Sequence, residues 1–382
     1  MSLFYLPKPK INQGPYANMY IIPEAKLVFC GIPKVGITNW LQFIRYVMGA
    51  HDYPSFPHGK PDLKAWKFDT LHPQKQQEIW NSQKKNNNNG TNTTAWTFAV
   101  FLRDPVERLL SAYLDKLSIG RRKIGVEAKR MGFTRETFSF ETFIEYLSKD
   151  IILPSSSSSR NPTVNCSASE SLPGLSWCTD PHWRPQSFSC GMSEQLSRFD
   201  FIGTLDNLEE QSRELLQRVN LWNDYGQHYR NGQSTRTSKI NPCVSLFPLD
   251  DELPHGPDAS HHLGFQQSVP HHESAITTPI ETTKNEEDLP QNGTRRRTGR
   301  SRTTQNLSWN TIGHATSAND KTHQYYTPEL IRQVQDVLYK YDYQLWTALH
   351  NHTNSQSGTQ SWVSGADLVP ALVRLKEQEK EQ

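Results

Sequence analysis

The chain has 382 residues, enough for one large domain or two small ones, and its 41 basic and 39 acidic residues leave a formal charge of only +2. Only 35% of it is hydrophobic, so part of it is expected to lie outside any packed core. Its five cysteines are too few for a disulfide-dense scaffold and show no C-x-x-C zinc spacing. There is no run of 18 apolar residues to span a membrane, and Met1 to Lys8 hold no signal-peptide apolar region. That leaves a soluble protein or a chain lacking its natural N-terminal anchor.

Residues 1–24 carry Pro and Asn and read as extended. Lys26 to Cys30 form an apolar run of the kind that makes a buried strand, followed by Gly31-Ile32-Pro33-Lys34-Val35-Gly36-Ile37-Thr38-Asn39. Trp40, Phe43, Ile44 and Val47 then fall at helical spacing. A helix opening directly after a strand points free backbone N–H groups and its positive dipole end at the loop, which favours an anion there. Lys34 adds a full charge and Thr38 a hydroxyl. The nucleotide-triphosphate pattern G-x-x-x-x-G-K-[ST] is absent, because Lys34 precedes Gly36. From this stretch alone, a phosphate or sulfate site and a plain turn with a surface lysine both remain open.

Three prolines and a glycine between His51 and Pro61 mark a surface connection, and Lys84 to Thr94 is an Asn-rich low-complexity loop. Ala95 to Leu102 is a second buried strand. Arg103-Asp104-Pro105 follows, with Asp104 placed to cap a helix, Pro105 at its first position and Glu107 at its third. Leu109, Leu110, Tyr113, Leu114 and Leu117 give that helix its apolar face. A further helix is predicted from Ser139. The segment from Ser155 to about Ser176 reads as an irregular loop. Pro181-His182-Trp183-Arg184-Pro185 comes next, then a short strand, Phe199 to Gly203, and a helix opened by Asn207.

Residues 231–322 are rich in Ser, Thr, Asn, Pro and His and read as a disordered insertion, since such composition cannot offset ordering entropy. Their basic run, Arg295 to Arg302, reads as a solvated tract rather than a nucleic-acid contact, because no aromatic residues interleave with it. A long surface insertion costs little in loop closure, so removal of Gly232 to Asp320 is expected to be tolerated. Thr327-Pro328-Glu329 opens another helix, with Leu330, Val334, Val337, Leu338, Tyr341 and Leu345 in one stripe. Residues 351–382 read as a polar tail ending in a charged run. The predicted organisation is a single domain over 1–230 and 323–350, interrupted by the insertion.

Four segments in this order resemble the Golgi carbohydrate sulfotransferases, in the subgroup of the chondroitin and dermatan 4-O-sulfotransferases and the HNK-1 sulfotransferase. They are Cys30 to Trp40, Phe101 to Tyr113, His182-Trp183-Arg184-Pro185, and Asp200 to Gly203 with Leu205 and Leu208. The family usually has Ala-Cys at Gly36-Ile37, a basic residue at Leu41, and a second Cys near Cys190; the 231–322 insertion is also foreign to it.

The resemblance implies an α/β fold, with a mostly parallel central sheet flanked by helices in a P-loop-like sulfotransferase arrangement. It implies a donor, 3′-phosphoadenylyl sulfate, held by Pro33, Lys34, Val35, Gly36, Ile37, Thr38 and Asn39 at the 5′-phosphosulfate, and by Arg103 and Ser111 at the 3′-phosphate. It implies a glycan hydroxyl as acceptor. Arg103 can grip a phosphate bidentately. Lys34 is the choice for the cation at the leaving oxygen, and no metal is required. His182 is the chosen general base; His72 is its main competitor, and Asp115 and Glu107 are weaker ones. The implied place is the Golgi lumen, which the sequons at Asn89, Asn92, Asn165, Asn292, Asn306 and Asn351 fit. In that compartment Cys166, Cys178 and Cys190 can form one disulfide, expected as Cys178–Cys190. The alternatives are a catalytically inactive nucleotide- or glycan-binding protein of this fold, or a kinase-like enzyme. A kinase would need a Walker Lys-[ST] pair and a magnesium carboxylate, and neither is evident.

Overall fold

In the computed structural model the described residues are 18–53, 57–82, 95–119, 123–134, 136–149, 151–152, 163–164, 180–227, 318–355 and 361–381. Four strands make the central sheet: β1 (Met19–Ile22), β2 (Leu27–Cys30), β3 (Thr97–Leu102) and β4 (Phe201–Thr204), in that spatial order. β1 runs antiparallel to β2, whereas β2, β3 and β4 are parallel. The fold is therefore α/β, as the sequence predicts. β1, inside the stretch read as extended, is the one strand of this sheet the sequence does not signal. β2 and β4 are buried along their whole length, and β3 along all but its first residue, which is why they read as continuous apolar runs rather than alternating ones.

Helices cover both faces. Phe29 of β2 and Phe101 of β3 share one face, where Trp40 of α1 (Ile37–Val47) stacks on them at 4.3 and 5.5 Å between ring centroids. Trp40 has none of its surface exposed, so truncation to alanine is expected to cost about 3–5 kcal/mol. Phe98 points the other way and meets Trp80 edge-on at 4.9 Å. A second apolar cluster joins α2 (Pro105–Ala112) to α3 (Phe140–Ser148), with Leu109, Leu110 and Tyr113 among Phe140, Phe143 and Leu147. The expected caps form. Asp104 accepts from the N–H groups of Val106 and Glu107, and Thr327 accepts from that of Leu330. α4 (Leu208–Arg218) follows β4, although Asn207 makes no side-chain cap.

Three expectations are corrected. The folded sequence resumes earlier than residue 323. α5 (Ala318–Tyr325) has Ala318 buried in the α2 cluster, so the low hydrophobic content of this turn hides one anchoring residue. The stretch read as a polar tail is held to the core. After α6 (Lys340–Ser355), Val363 bridges to Ile202 of β4, and α7 (Gly365–Glu381) buries Leu368 and Leu372. Its apolar residues are too sparse to stand out among the Lys and Glu that face water. The disulfide is Cys30–Cys190, not Cys178–Cys190, and it closes a separation of 160 residues. Sequence proximity favours the nearer partner, whereas the sheet brings the end of β2 beside Cys190. Most of the insertion, its basic run, Cys166, Cys178 and every sequon but Asn351 lie outside the described residues.

Candidate active site

The site lies at the carboxyl ends of β2 and β3, where parallel strands deliver two loops to the same edge of the sheet. The first loop, Gly31 to Gly36, runs straight into α1. Gly36 is its N-cap at φ 69°, a left-handed conformation that glycine adopts without steric cost, and no side chain caps the helix. The helix start therefore has no side-chain cap, and within its first turn the Asn39 N–H donates to the Gly36 carbonyl at 3.1 Å. Lys34 also has a left-handed backbone, φ 70°, which a side chain tolerates at a cost of about 1–2 kcal/mol. At Gly31 an added Cβ would come within 2.2 Å of Ile37 Cδ1, so a larger residue there would have to push the tip of the Ile37 side chain aside.

The Lys34 ammonium is 3.1 Å from Asp115 Oδ2, and the same oxygen accepts from Lys116 at 3.1 Å. Asp115 lies in the wide turn Tyr113–Leu117 that extends α2, a π-type winding often found at functional sites. The two partners do not mirror each other. Burial holds Lys34 below its ordinary value, and Asp115 only partly restores it. Burial pushes the Asp115 carboxyl up, but Lys34 and Lys116 together outweigh it, so it stays below the usual carboxylate range. Two ammonium groups act on one carboxylate, which explains the asymmetry.

Arg103 directly follows β3 and is 8% exposed. Its guanidinium donates to the Lys34 carbonyl (3.3 Å), to Asn319 Oδ1 of α5 (2.8 Å) and to Glu107 Oε2 (3.4 Å). Burial lowers its pKa despite Glu107, yet a guanidinium stays charged. Its backbone is gripped by Gln186, whose Oε1 accepts from Arg103 N–H at 2.9 Å and whose Nε2 donates to the Arg103 carbonyl at 2.7 Å. Ser111 is buried two turns along α2. Thr38 Oγ1 lies 3.0 Å from His58 Nε2.

Arg108 is the residue that ties the two sides of the site together. It is fully buried and donates to the carbonyls of Pro33 (3.0 Å), Arg184 (2.8 Å) and Pro181 (2.9 Å). The neighbours of those carbonyls, Lys34 and His182, are thus suspended from one cation. The 180–191 segment has little regular structure of its own. Asp342 of α6 accepts from the N–H groups of Gln186 (2.6 Å) and Ser187 (2.9 Å), and the disulfide fixes the end of the segment. Within it His182 Nδ1 is 2.8 Å from Asp180 Oδ1, which also accepts from His182 N–H at 2.8 Å. The His182 side chain is 31% exposed and that of Asp180 10%.

The competing bases are otherwise engaged. His72 Nδ1 accepts from Gln74 N–H at 3.4 Å at the start of the helix Pro73–Ser82, Glu107 pairs with Arg103, and Asp115 pairs with two lysines. Sequence reasoning gave no role to Arg108, Gln186, Asn319, Asp180 or Asp342. Only Asp180, two residues before His182, was within reach of a sequence argument, because a carboxylate at that spacing can meet the imidazole.

This layout, with a glycine-capped helix start, a lysine in its loop and an arginine at the next strand end, coincides with a known profile. Residues 17–242, more than half of the chain, match the model described as the sulfotransferase family. The chain belongs to the sulfotransferase family. Among curated proteins it is similar to carbohydrate sulfotransferase 9 of Homo sapiens, at 25% identity over 222 residues. That match covers 53% of this chain and 41% of the relative, so the chain spans well under half the length of the protein it matches. No solved structure matches. Among the described residues no cluster of His, Cys, Asp or Glu could hold a metal, and no helix is long and apolar enough to cross a membrane. The sulfotransferase match includes both loops, Arg108 and the 180–191 segment.

Proposed function

We propose that this sulfotransferase moves a sulfuryl group from 3′-phosphoadenylyl sulfate to a hydroxyl of a carbohydrate. The observation that carries this reading is the convergence on one uncapped helix start of Lys34, in the loop itself, and Arg103, which bonds that loop's carbonyl. A donor with an anion at each end needs two cationic stations, and these two sit in the loops that follow adjacent parallel strands. Lys34 and the first N–H groups of α1 serve the phosphosulfate, with Pro33, Val35, Gly36, Ile37, Thr38 and Asn39 shaping the loop. Arg103 and Ser111 serve the 3′-phosphate, which displaces Asn319 or Glu107 from part of the Arg103 fork.

The transfer is an in-line displacement at sulfur: the acceptor oxygen bonds to sulfur as the bond to the 5′-phosphate oxygen breaks. The charge growing on that oxygen falls to Lys34. His182 takes the acceptor proton at Nε2, while Asp180 fixes Nδ1 as the protonated nitrogen. The Cys30–Cys190 disulfide fits an oxidising compartment, in keeping with the lumen of the Golgi. Incubation with radiolabelled donor and a panel of glycans tests the reading. Label in a glycan supports it, whereas nucleotide binding without any transfer would favour an inactive binding protein.

A further inference from the structure

We infer that Arg184 is an oxyanion site, and that its ligand is an acidic group of the carbohydrate acceptor. Only the source of the anion rests on the function proposed above.

Arg184 keeps 4% of its surface, and its Nε is enclosed with no hydrogen-bond partner. No hydrogen bond or ion pair of its guanidinium occurs among the described residues. Its backbone is fully used: the N–H donates to the Asp180 carbonyl at 2.8 Å, and its own carbonyl accepts from Arg108. The other two buried arginines of the site are paired. Arg108 holds three carbonyls, and Arg103 has three acceptors. A buried guanidinium with an unpaired Nε carries a desolvation cost, so proteins keep such a group paired or use it to hold something.

The charges around it sharpen the point. Arg108 repels it, and the one attractive carboxylate nearby, Asp180, is already bonded to His182 through the backbone N–H and ring Nδ1. Burial, helped by Arg108, depresses the Arg184 guanidinium to about 10. Two further buried atoms of the same five residues, Trp183 Nε1 and Ser187 Oγ, also lack partners. Buried polar groups are almost always hydrogen-bonded, so each of these donors calls for an acceptor. An oxyanion supplies what is missing, since a carboxylate or sulfate can accept two parallel N–H bonds from the fork. Arg184 is two residues from His182, the proposed base, which places the anion on the acceptor side of the site.

The test uses the full chain and two variants, Arg184→Gln and Arg184→Met. Thermal melts are compared in sodium sulfate and in sodium chloride at equal ionic strength. Sulfate should raise the melting temperature of the wild type by more than that of either variant, and Arg184→Met should match or exceed the wild type in chloride. Transfer is then measured on unsulfated chondroitin, which carries uronate groups, and on its carboxyl-reduced form. The wild type should prefer the uronate polymer at least tenfold in kcat/KM, and Arg184→Gln should erase that preference without changing affinity for adenosine 3′,5′-bisphosphate. If Arg184→Gln instead weakens 3′-phosphoadenylyl sulfate and not the bisphosphate, the oxyanion is the donor's sulfuryl group and the acceptor assignment is overturned. Equal sulfate response in wild type and variants overturns the site itself. Transfer to neither polymer by the wild type counts against the carbohydrate reading, while the melts still decide Arg184.

Discussion

The two sides of the site are held by different kinds of bond. On the side proposed for the donor, β2 leads through the Lys34 loop to α1, and β3 leads through Arg103 to α2, so backbone ladders and helices set the geometry. On the other side, residues 180–191 have one short turn of helix, Gln186–Phe188, and their position depends on side chains from distant parts of the chain. Arg108 is 76 residues from the Arg184 carbonyl it holds, and Asp342 is 156 from the Gln186 N–H. A helix shares its position among many equivalent bonds, but the 180–191 segment rests on a few contacts: Arg108, the Gln186–Arg103 pair, Asp342 and the disulfide. The donor side should therefore respond to mutation through chemistry, and the 180–191 side through structure first.

The largest effect expected from this contrast is at Arg108. Arg108→Met keeps the volume and removes the donors, leaving one buried and two part-buried carbonyl contacts unmade. A buried orphaned acceptor costs about 1–3 kcal/mol and the part-buried ones less, so a loss of about 2–4 kcal/mol is expected by chemical denaturation. A variant as stable as the wild type would mean that the segment is held in some other way. Next comes Lys34→Ala, which should lower turnover by ~10²–10³ at saturating donor while affinity for adenosine 3′,5′-bisphosphate falls far less. Wild-type turnover would reduce Lys34 to a partner of Asp115. His182→Ala should cost ~10² in turnover with donor affinity nearly unchanged. A nearly fully active variant would move the base elsewhere.

Arg103→Ala sharpens the donor side alone. It should weaken adenosine 3′,5′-bisphosphate by about 1.5–3 kcal/mol in calorimetry, the worth of charge-assisted bonds to a phosphate. Because Arg103 already has three acceptors in this structure, part of that gain must first be spent in breaking them. A loss at the lower end is therefore expected, and unchanged affinity would exclude the 3′-phosphate role.

The same contrast explains what the amino-acid sequence makes visible. β2, β3, β4 and their helices are legible because a strand buried on both faces is an unbroken apolar run and a docked helix repeats every three to four residues. The caps at Asp104 and Thr327 are legible because they act within three residues. β1 is short and lies among Pro and Asn, and its pairing with β2 is a tertiary fact. Arg108 sits inside a motif that resembles the family's, yet only the fold reveals that its three acceptors come from two other loops. Asn319 is beyond sequence reasoning for a similar reason: α5 begins in polar sequence, and only its docking beside α2 brings that side chain to Arg103. Removal of residues 232–320 would take Asn319 with it, so a deletion meant to spare the site must end before Ala318.

The smallest expected effect, and the most discriminating for the donor side, is a change in pH dependence at Asp115. Arg103, Lys116 and Asp115 are the charged groups that act on Lys34, and Asp115 alone favours its protonated form. In Asp115→Asn that support is gone, so burial, Lys116 and Arg103 push the Lys34 pKa further down. If Lys34 must be charged to meet the leaving oxygen, the alkaline limb of the kcat/KM profile moves to lower pH, while turnover in mildly acidic buffer changes little. Stability should show the opposite face of the pair. The folded-state pKa of Asp115 is below its unfolded value of about 3.9, so its contribution is fully present above that value and is lost as pH falls through the folded one. The asparagine variant has no such increment to lose, and its melting temperature should therefore fall less steeply in acid than that of the wild type. Asp115→Glu, which keeps the charge one methylene further out, should restore much of the alkaline limb. If the profiles of wild type and Asp115→Asn coincide at every pH, the charge on Lys34 does not limit the reaction, and the cation at the leaving oxygen must be another group.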